Sequence, residues 1–248
     1  MSRRLPSLVG SKAYMVVLAA AALSVTLAPC LAQASDEGPR LLHTGEFHGD
    51  EVPAIGDDGW LALLEFGSRA ELQPVTVSIK AVRDELLDGE DGPITGREVS
   101  VEGLDPLLLV RGVPQLKPAL VTEALAQCGT CSRPISLIEH RQVHLRLGDE
   151  QYDLEVGPEP SDQPITSTTE IRLSHRAGVQ IVHRPSRGLD DAEWTLLWAG
   201  DLDGDGRLDL YLDTPDHYNM DRRRLLLSSA AGPGELVGEV AVFETTGC

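Results

Sequence analysis

After residue 34 the chain alternates between short runs of β-favouring residues and clusters of Gly, Pro and Asp, and almost none of it reads as helix. Val75 to Val82 shows the pattern at its cleanest, with apolar and polar side chains alternating at period two as in a half-buried strand. Trp60 to Phe66 is an apolar run behind the turn-like Gly56-Asp57-Asp58-Gly59. Glu98 to Val101, Leu107 to Val110, Leu208 to Leu212, Leu225 to Leu227 and Val240 to Phe243 read as further strands. His144–Leu147 and Tyr152–Val156 flank Gly148-Asp149 as one hairpin, and Ile171–Arg176 and Val179–Arg184 flank Ala177-Gly178 as a second. Only Val121 to Gln127 and Pro215 to Arg223 offer any local helix. Strands this short and numerous bury their apolar faces best in an all-β sandwich or barrel-like fold, as one domain or two. The Pro- and acid-rich stretch 157–164 divides residues 35–157 from residues 165–248, as a long surface loop or a linker.

One connection between these strands carries chemistry. Residues 198–213 read Trp-Ala-Gly-Asp-Leu-Asp-Gly-Asp-Gly-Arg-Leu-Asp-Leu-Tyr-Leu-Asp. Asp201, Asp203, Asp205 and Asp209 fall at positions 1, 3, 5 and 9 of a nine-residue loop, and Gly204 and Gly206 let the backbone turn sharply between them. Four crowded carboxylates repel one another unless a counter-ion is present. A hard divalent cation that takes six to eight oxygen ligands resolves the conflict, which makes Ca2+ the expected cofactor. The three early aspartates each offer a side-chain oxygen, Arg207 offers its backbone carbonyl, and Asp209 closes the site. Leu202 and Leu208 point elsewhere, into the core. An EF-hand would need a glutamate at position twelve, where Leu212 stands, and helices where the flanks here read as strands. Asp-Gly pairs also make tight turns without metal, but such turns do not require carboxylates at ligand spacing.

The segment Ala199-Gly200-Asp201-Leu202-Asp203-Gly204-Asp205-Gly206-Arg207-Leu208-Asp209-Leu210 resembles the calcium loop of FG-GAP repeats, as in integrin alpha chains and many secreted bacterial proteins. The resemblance covers residues 194–213, and no second copy is visible. It implies a loop between two antiparallel strands in which Asp201, Asp203, Asp205 and Asp209 supply carboxylates and Arg207 a carbonyl to calcium. The tail from Trp194 to Cys248 is also similar to that of uncharacterised secreted bacterial proteins.

Compartment and charge agree with this reading. Arg3, Arg4 and Lys12 precede an apolar run from Tyr14 to Ala28 and a small-x-small site at Ala32-Gln33-Ala34, the layout of a signal peptide over residues 1–34. The apolar run is shorter than the ~20 residues a membrane span needs, so no stable membrane insertion is expected. Cleavage near Ala34 would leave a secreted or periplasmic chain. Residues 1–34 hold three of the 21 basic side chains and none of the 39 acidic ones, so the remainder balances 18 against 39, or −21. That charge argues against a nucleic-acid partner. Outside the cytoplasm, Cys128, Cys131 and Cys248 are disulfide candidates, with three possible pairings. Cys128-Gly-Thr-Cys131 has the redox spacing, but no helix-forming stretch follows it, which favours a structural bridge.

No catalytic residues stand out. Gly-x-Ser-x-Gly, a phosphate-cradling glycine loop and His-Glu-x-x-His are all missing from the sequence. His140 and His144 fall at even spacing on one expected strand face, though without a third zinc ligand. His43 and His48 sit beside Glu46 and Asp50 near the expected mature terminus, where mobility is the simplest expectation. Trp194 and Trp198 are expected to share a strand face as core residues beside the loop. The sequence thus points to a secreted, calcium-binding β protein with a structural ion and an unidentified protein or glycan partner. The alternative is a secreted calcium-dependent hydrolase.

Overall fold

The computed structural model describes residues 38–52, 56–67, 69–127, 133–158, 165–185 and 189–247. The expected signal peptide, Cys128, Cys131, Cys248 and most of the 157–164 boundary lie outside the described residues. Among those described, the fold is all-β, with eighteen strands and one 3-10 turn, Ser228–Ala230. No described helix is long and apolar enough to cross a membrane.

Ten strands build the main sheet. In spatial order these are β1 (Arg40–Leu42), β7 (Leu108–Arg111), β3 (Trp60–Phe66), β4 (Arg69–Val75), β8 (Ala119–Glu123), β15 (Thr195–Asp201), β16 (Asp209–Asp213), β17 (Met220–Leu227) and β18 (Gly238–Thr246), with β10 (Ile135–Ser136) also beside β15. Neighbours pair antiparallel, and β1 packs back against β18, so the sheet nearly closes into a barrel. Near closure hides the edges that an open sheet would expose. A five-stranded sheet runs β14 (Gly178–His183), β13 (Glu170–His175), β12 (Glu150–Gly157), β11 (Gln142–Leu147) and β9 (Leu125–Gln127). A three-stranded sheet of β2 (Gly45–Phe47), β6 (Gly96–Ser100) and β5 (Ser78–Val82) completes the fold.

Two apolar cores explain why the C-terminal strands read as nearly continuous hydrophobic runs. One fills the barrel and includes Trp60, Leu63, Leu72, Leu108, Trp198, Tyr211, Leu225, Leu227 and Phe243. The other lies against the five-stranded sheet and includes Leu145, Leu154, Leu173, Trp194, Leu196, Leu210, Leu212 and Leu226. Strands β16 and β17 therefore send alternate residues into different cores: Leu210 and Leu212 to one and Tyr211 to the other, Leu226 to one and Leu225 and Leu227 to the other. A strand buried on both faces loses its polar alternation.

Several sequence expectations change on this frame. Val75 to Val82 is two strands, because the chain leaves the barrel after Val75, inserts Val77 into the barrel core and enters the small sheet at Ser78. Residues 121–127 are strand, not helix: β8 bridges β4 and β15, Ala124 donates its N–H to the Ala199 carbonyl at 2.9 Å, and β9 joins β11. The second helical segment also fails, since Met220 onward pairs along β18. Tertiary pairing overrides weak local propensity at both places. Trp194 and Trp198 sit on opposite sides of the main sheet, in different cores, because a bulge between Leu196 and Trp198 shifts the facing by one residue. His140 lies outside β11, which begins at Gln142, so it shares no strand face with His144.

Candidate metal centre

The hairpin of β15 and β16 carries the acidic loop. Gly200 pairs with Asp209 across the hairpin and with Glu123 on the other side, so Asp201 and Asp209 stand at the two strand ends of a tight turn. Leu202 and Leu208 are both buried, Leu202 in the barrel core and Leu208 in the second one, and they pin the loop at each end. Between them Gly204 (φ 80°) and Gly206 (φ 81°) take the left-handed conformation, which side chains with a Cβ resist.

Three of the four aspartates converge. One carboxylate oxygen from each of Asp201, Asp203 and Asp209 lies within 4.8 Å of the others. Backbone N–H groups hold them in place. Gly204 and Gly206 donate to the two oxygens of Asp201 at 2.8 and 3.0 Å. Asp205 donates its N–H to Asp203 Oδ1 at 3.2 Å, and the Ser229 hydroxyl donates to Asp203 Oδ2. Asp209 is 0% exposed. Its Oδ2 accepts from the N–H of Leu202 at 2.7 Å and of Asp203 at 3.4 Å, and its Oδ1 accepts from the N–H of Ser228 at 2.7 Å.

Asp205 does not join the trio. Its Oδ2 accepts from Arg207 Nε and Nη2 at 2.9 and 2.7 Å, its Oδ1 accepts from the Arg207 N–H at 2.8 Å, and the Ser228 hydroxyl donates to both oxygens. Arg207 also donates from Nη2 to the Ser228 carbonyl at 3.1 Å, so its side chain ties the loop to the 3-10 turn. These serines were not legible as site residues. They follow β17, about twenty residues downstream, and reach the loop only because the β16–β17 hairpin folds back on it.

The electrostatics separate the two groups. Burial pushes the Asp209 carboxyl up to about 7, with the Asp203 charge adding to the effect despite the Ser228 and Leu202 hydrogen bonds. Burial also raises Asp201, aided by the charges of Asp205 and Asp203. For Asp205, burial acts upward but the Arg207 and Ser228 hydrogen bonds outweigh it, and its carboxyl sits below the ordinary value. The trio is thus a concentration of hard oxygen donors, with Arg207 the cation whose charge reaches Asp203 and Asp209 while its guanidinium is bonded to Asp205. That donor set fits a hard cation.

Other sequence candidates resolve differently. His144 is exposed on β11 and pairs with Asp153, and among the described residues no histidine joins a group of three metal-ligating side chains. His43 and His48 are held, contrary to the expected mobility. His43 packs edge-on against Phe47 and Phe243 at centroid distances of 4.9 and 5.6 Å. His48 Nδ1 lies 2.5 Å from Asp84 Oδ2, and Asp84 Oδ1 accepts from the N–H groups of Leu86 and Leu87. The expectation failed because the first strands close the barrel and add to the small sheet. Both histidines line a cleft of about 460 Å³ with Phe47, Asp84, Asp221 and Thr246. Comparison of the chain with protein-family models, curated proteins and solved structures returns no match.

Proposed function

We propose that the protein is a secreted or periplasmic calcium-binding β module in which the ion has a structural role. The observation that carries the reading is the convergence of Asp201, Asp203 and Asp209 on one point, with every carboxylate oriented by a backbone N–H. Calcium suits a site that offers few protein oxygens and one solvent-facing side, because it accepts waters and irregular geometry, whereas magnesium demands near-ideal octahedral ligation. Asp205 and the Arg207 carbonyl complete the ligand set implied by the FG-GAP resemblance, with Asp205 rotating away from Arg207 to do so. The ion would tie β15, β16 and the 3-10 turn together and so hold the seam between the two cores. The reading pairs this structural ion with an unidentified protein or glycan partner outside the cytoplasm.

Thermal unfolding of the protein in calcium and in excess chelator tests this. At a hundredfold excess over the dissociation constant the native state gains ~2.7 kcal/mol. For a chain of this size that raises the midpoint by about 5–10 °C. Identical midpoints in the two buffers would remove the structural role.

A further inference from the structure

Strand β14 is the outer strand of the five-stranded sheet, and its last residue, His183, reaches the barrel. His183 is 6% exposed. Its ring stands edge-on to Trp194 at a centroid distance of 4.8 Å, and its Nδ1 lies 2.9 Å from Arg224 Nη1 on β17. The same Arg224 nitrogen donates to the Val182 carbonyl at 3.3 Å, while Nε and Nη2 are held by Glu239 of β18 at 2.6 and 2.5 Å. A guanidinium has only donors. The contact therefore requires an unprotonated Nδ1, which fixes the ring as neutral with its proton on Nε2. That Nε2 is buried and meets no acceptor among the described residues.

We propose that His183 is an acid-sensitive latch between the two sheets: neutral, it accepts from Arg224 and holds β14 on β17; protonated, it turns a donor toward a guanidinium and releases β14. The surrounding charges favour the neutral state at neutral pH. Burial weighs most against the charged ring, followed by Arg224 and then Arg222 of β17; Asp216, from the β16–β17 connection, acts the other way. Arg222 is shared between Asp216 at 3.1 Å and Glu244 of β18 at 2.7 Å, so Asp216 is already occupied by a cation. Arg184, next to His183 on the chain, is drawn off toward Glu170 of β13 at 3.4 Å. The combined effect holds the imidazole down to about 4, against 6.5 for a free ring.

The sign follows from linkage. A group with a lowered native pKa stabilises the latched state above 6.5, and that contribution falls as pH drops from 6.5 to about 4. Within its own sheet β14 has one neighbour, β13, and Gln180 anchors its middle to Leu236 and Val237 through hydrogen bonds of 2.6–3.0 Å. Release should therefore open the His183 end of β14 and leave Gln180 in place. The test is hydrogen exchange of the protein at pH 7 and pH 4.5, corrected for the intrinsic pH dependence, together with an NMR titration of His183. Protection over Ile181–His183 should fall about 50-fold more than over β16. A His183→Asn variant, whose amide oxygen can still accept from Arg224 but does not titrate, should flatten the difference. The proposal is overturned by an imidazole titrating at or above 6, by an equal loss in His183→Asn, or by β16 losing protection together with β14. Should that variant not fold, the wild-type titration and the β14–β16 comparison decide alone.

Discussion

Replacing Asp209 with alanine should cost about 4 kcal/mol of folding stability in chelator, measured by urea denaturation. The carboxylate is fully buried and accepts from three backbone N–H groups, those of Leu202, Asp203 and Ser228. Alanine leaves those donors in a site that water cannot easily reach, and each unsatisfied buried donor costs roughly 1–3 kcal/mol. Since domains of this kind are stable by only ~5–15 kcal/mol, the loss would be a large fraction of the total. The expected size separates two roles for one residue. Asp209 organises the loop through its backbone donors, whether or not an ion is bound, whereas Asp203 is only partly buried. A cost below about 1 kcal/mol would mean that the loop and the 3-10 turn are held by other contacts.

Trp198→Ala should cost a similar amount, ~3–5 kcal/mol, for a different reason. The indole is 0% exposed and sits in the barrel where the two halves of the main sheet join. That join is narrow, with Gly200 opposite Glu123 and Asp201 opposite Thr122. A Cβ placed on Gly200 would lie 2.4 Å from the Thr122 carbonyl oxygen and 2.5 Å from the Trp198 ring, so the strands meet over a glycine with the indole laid across it. Truncation removes the cover and leaves a cavity. Trp198→Phe should be far milder, near 1 kcal/mol, because it keeps most of the apolar volume and removes a buried indole N–H that meets no acceptor among the described residues. Comparable losses for both variants would argue against cavity formation as the cause.

The β class and the strand flanks of the loop are legible in the sequence because those features are local. Trp60–Phe66 is a strand as its apolar run implies, and the first hairpin turns at Gly148-Asp149 as its residues require. The second turns one residue earlier than expected, at Arg176-Ala177, because Gly178 already pairs with His175. The larger failures are all long-range. A single bulge near Leu197 sends Trp194 and Trp198 to different cores, and nothing in the spacing signals it. Residues 121–127 become strand because β8 fills the gap between β4 and β15 in the main sheet and β9 supplies the edge strand beside β11. At the site, carboxylate spacing pointed to Asp201, Asp203, Asp205 and Asp209 with the Arg207 carbonyl, and of these the fold brings Asp201, Asp203 and Asp209 together. It could not anticipate that Arg207 would take Asp205 for itself, nor that Ser228 and Ser229 would close over the loop from another hairpin.

Isothermal titration of calcium into the protein, beside an Asp201→Asn, Asp203→Asn double variant, tests the metal centre most directly. Both substitutions remove charge from the converging oxygens and leave Asp209, the residue that holds the loop in place. The wild type should give a single saturable binding event, and the folded variant should give none. An absence of binding to the wild type, or undiminished binding to the variant, would contradict the site.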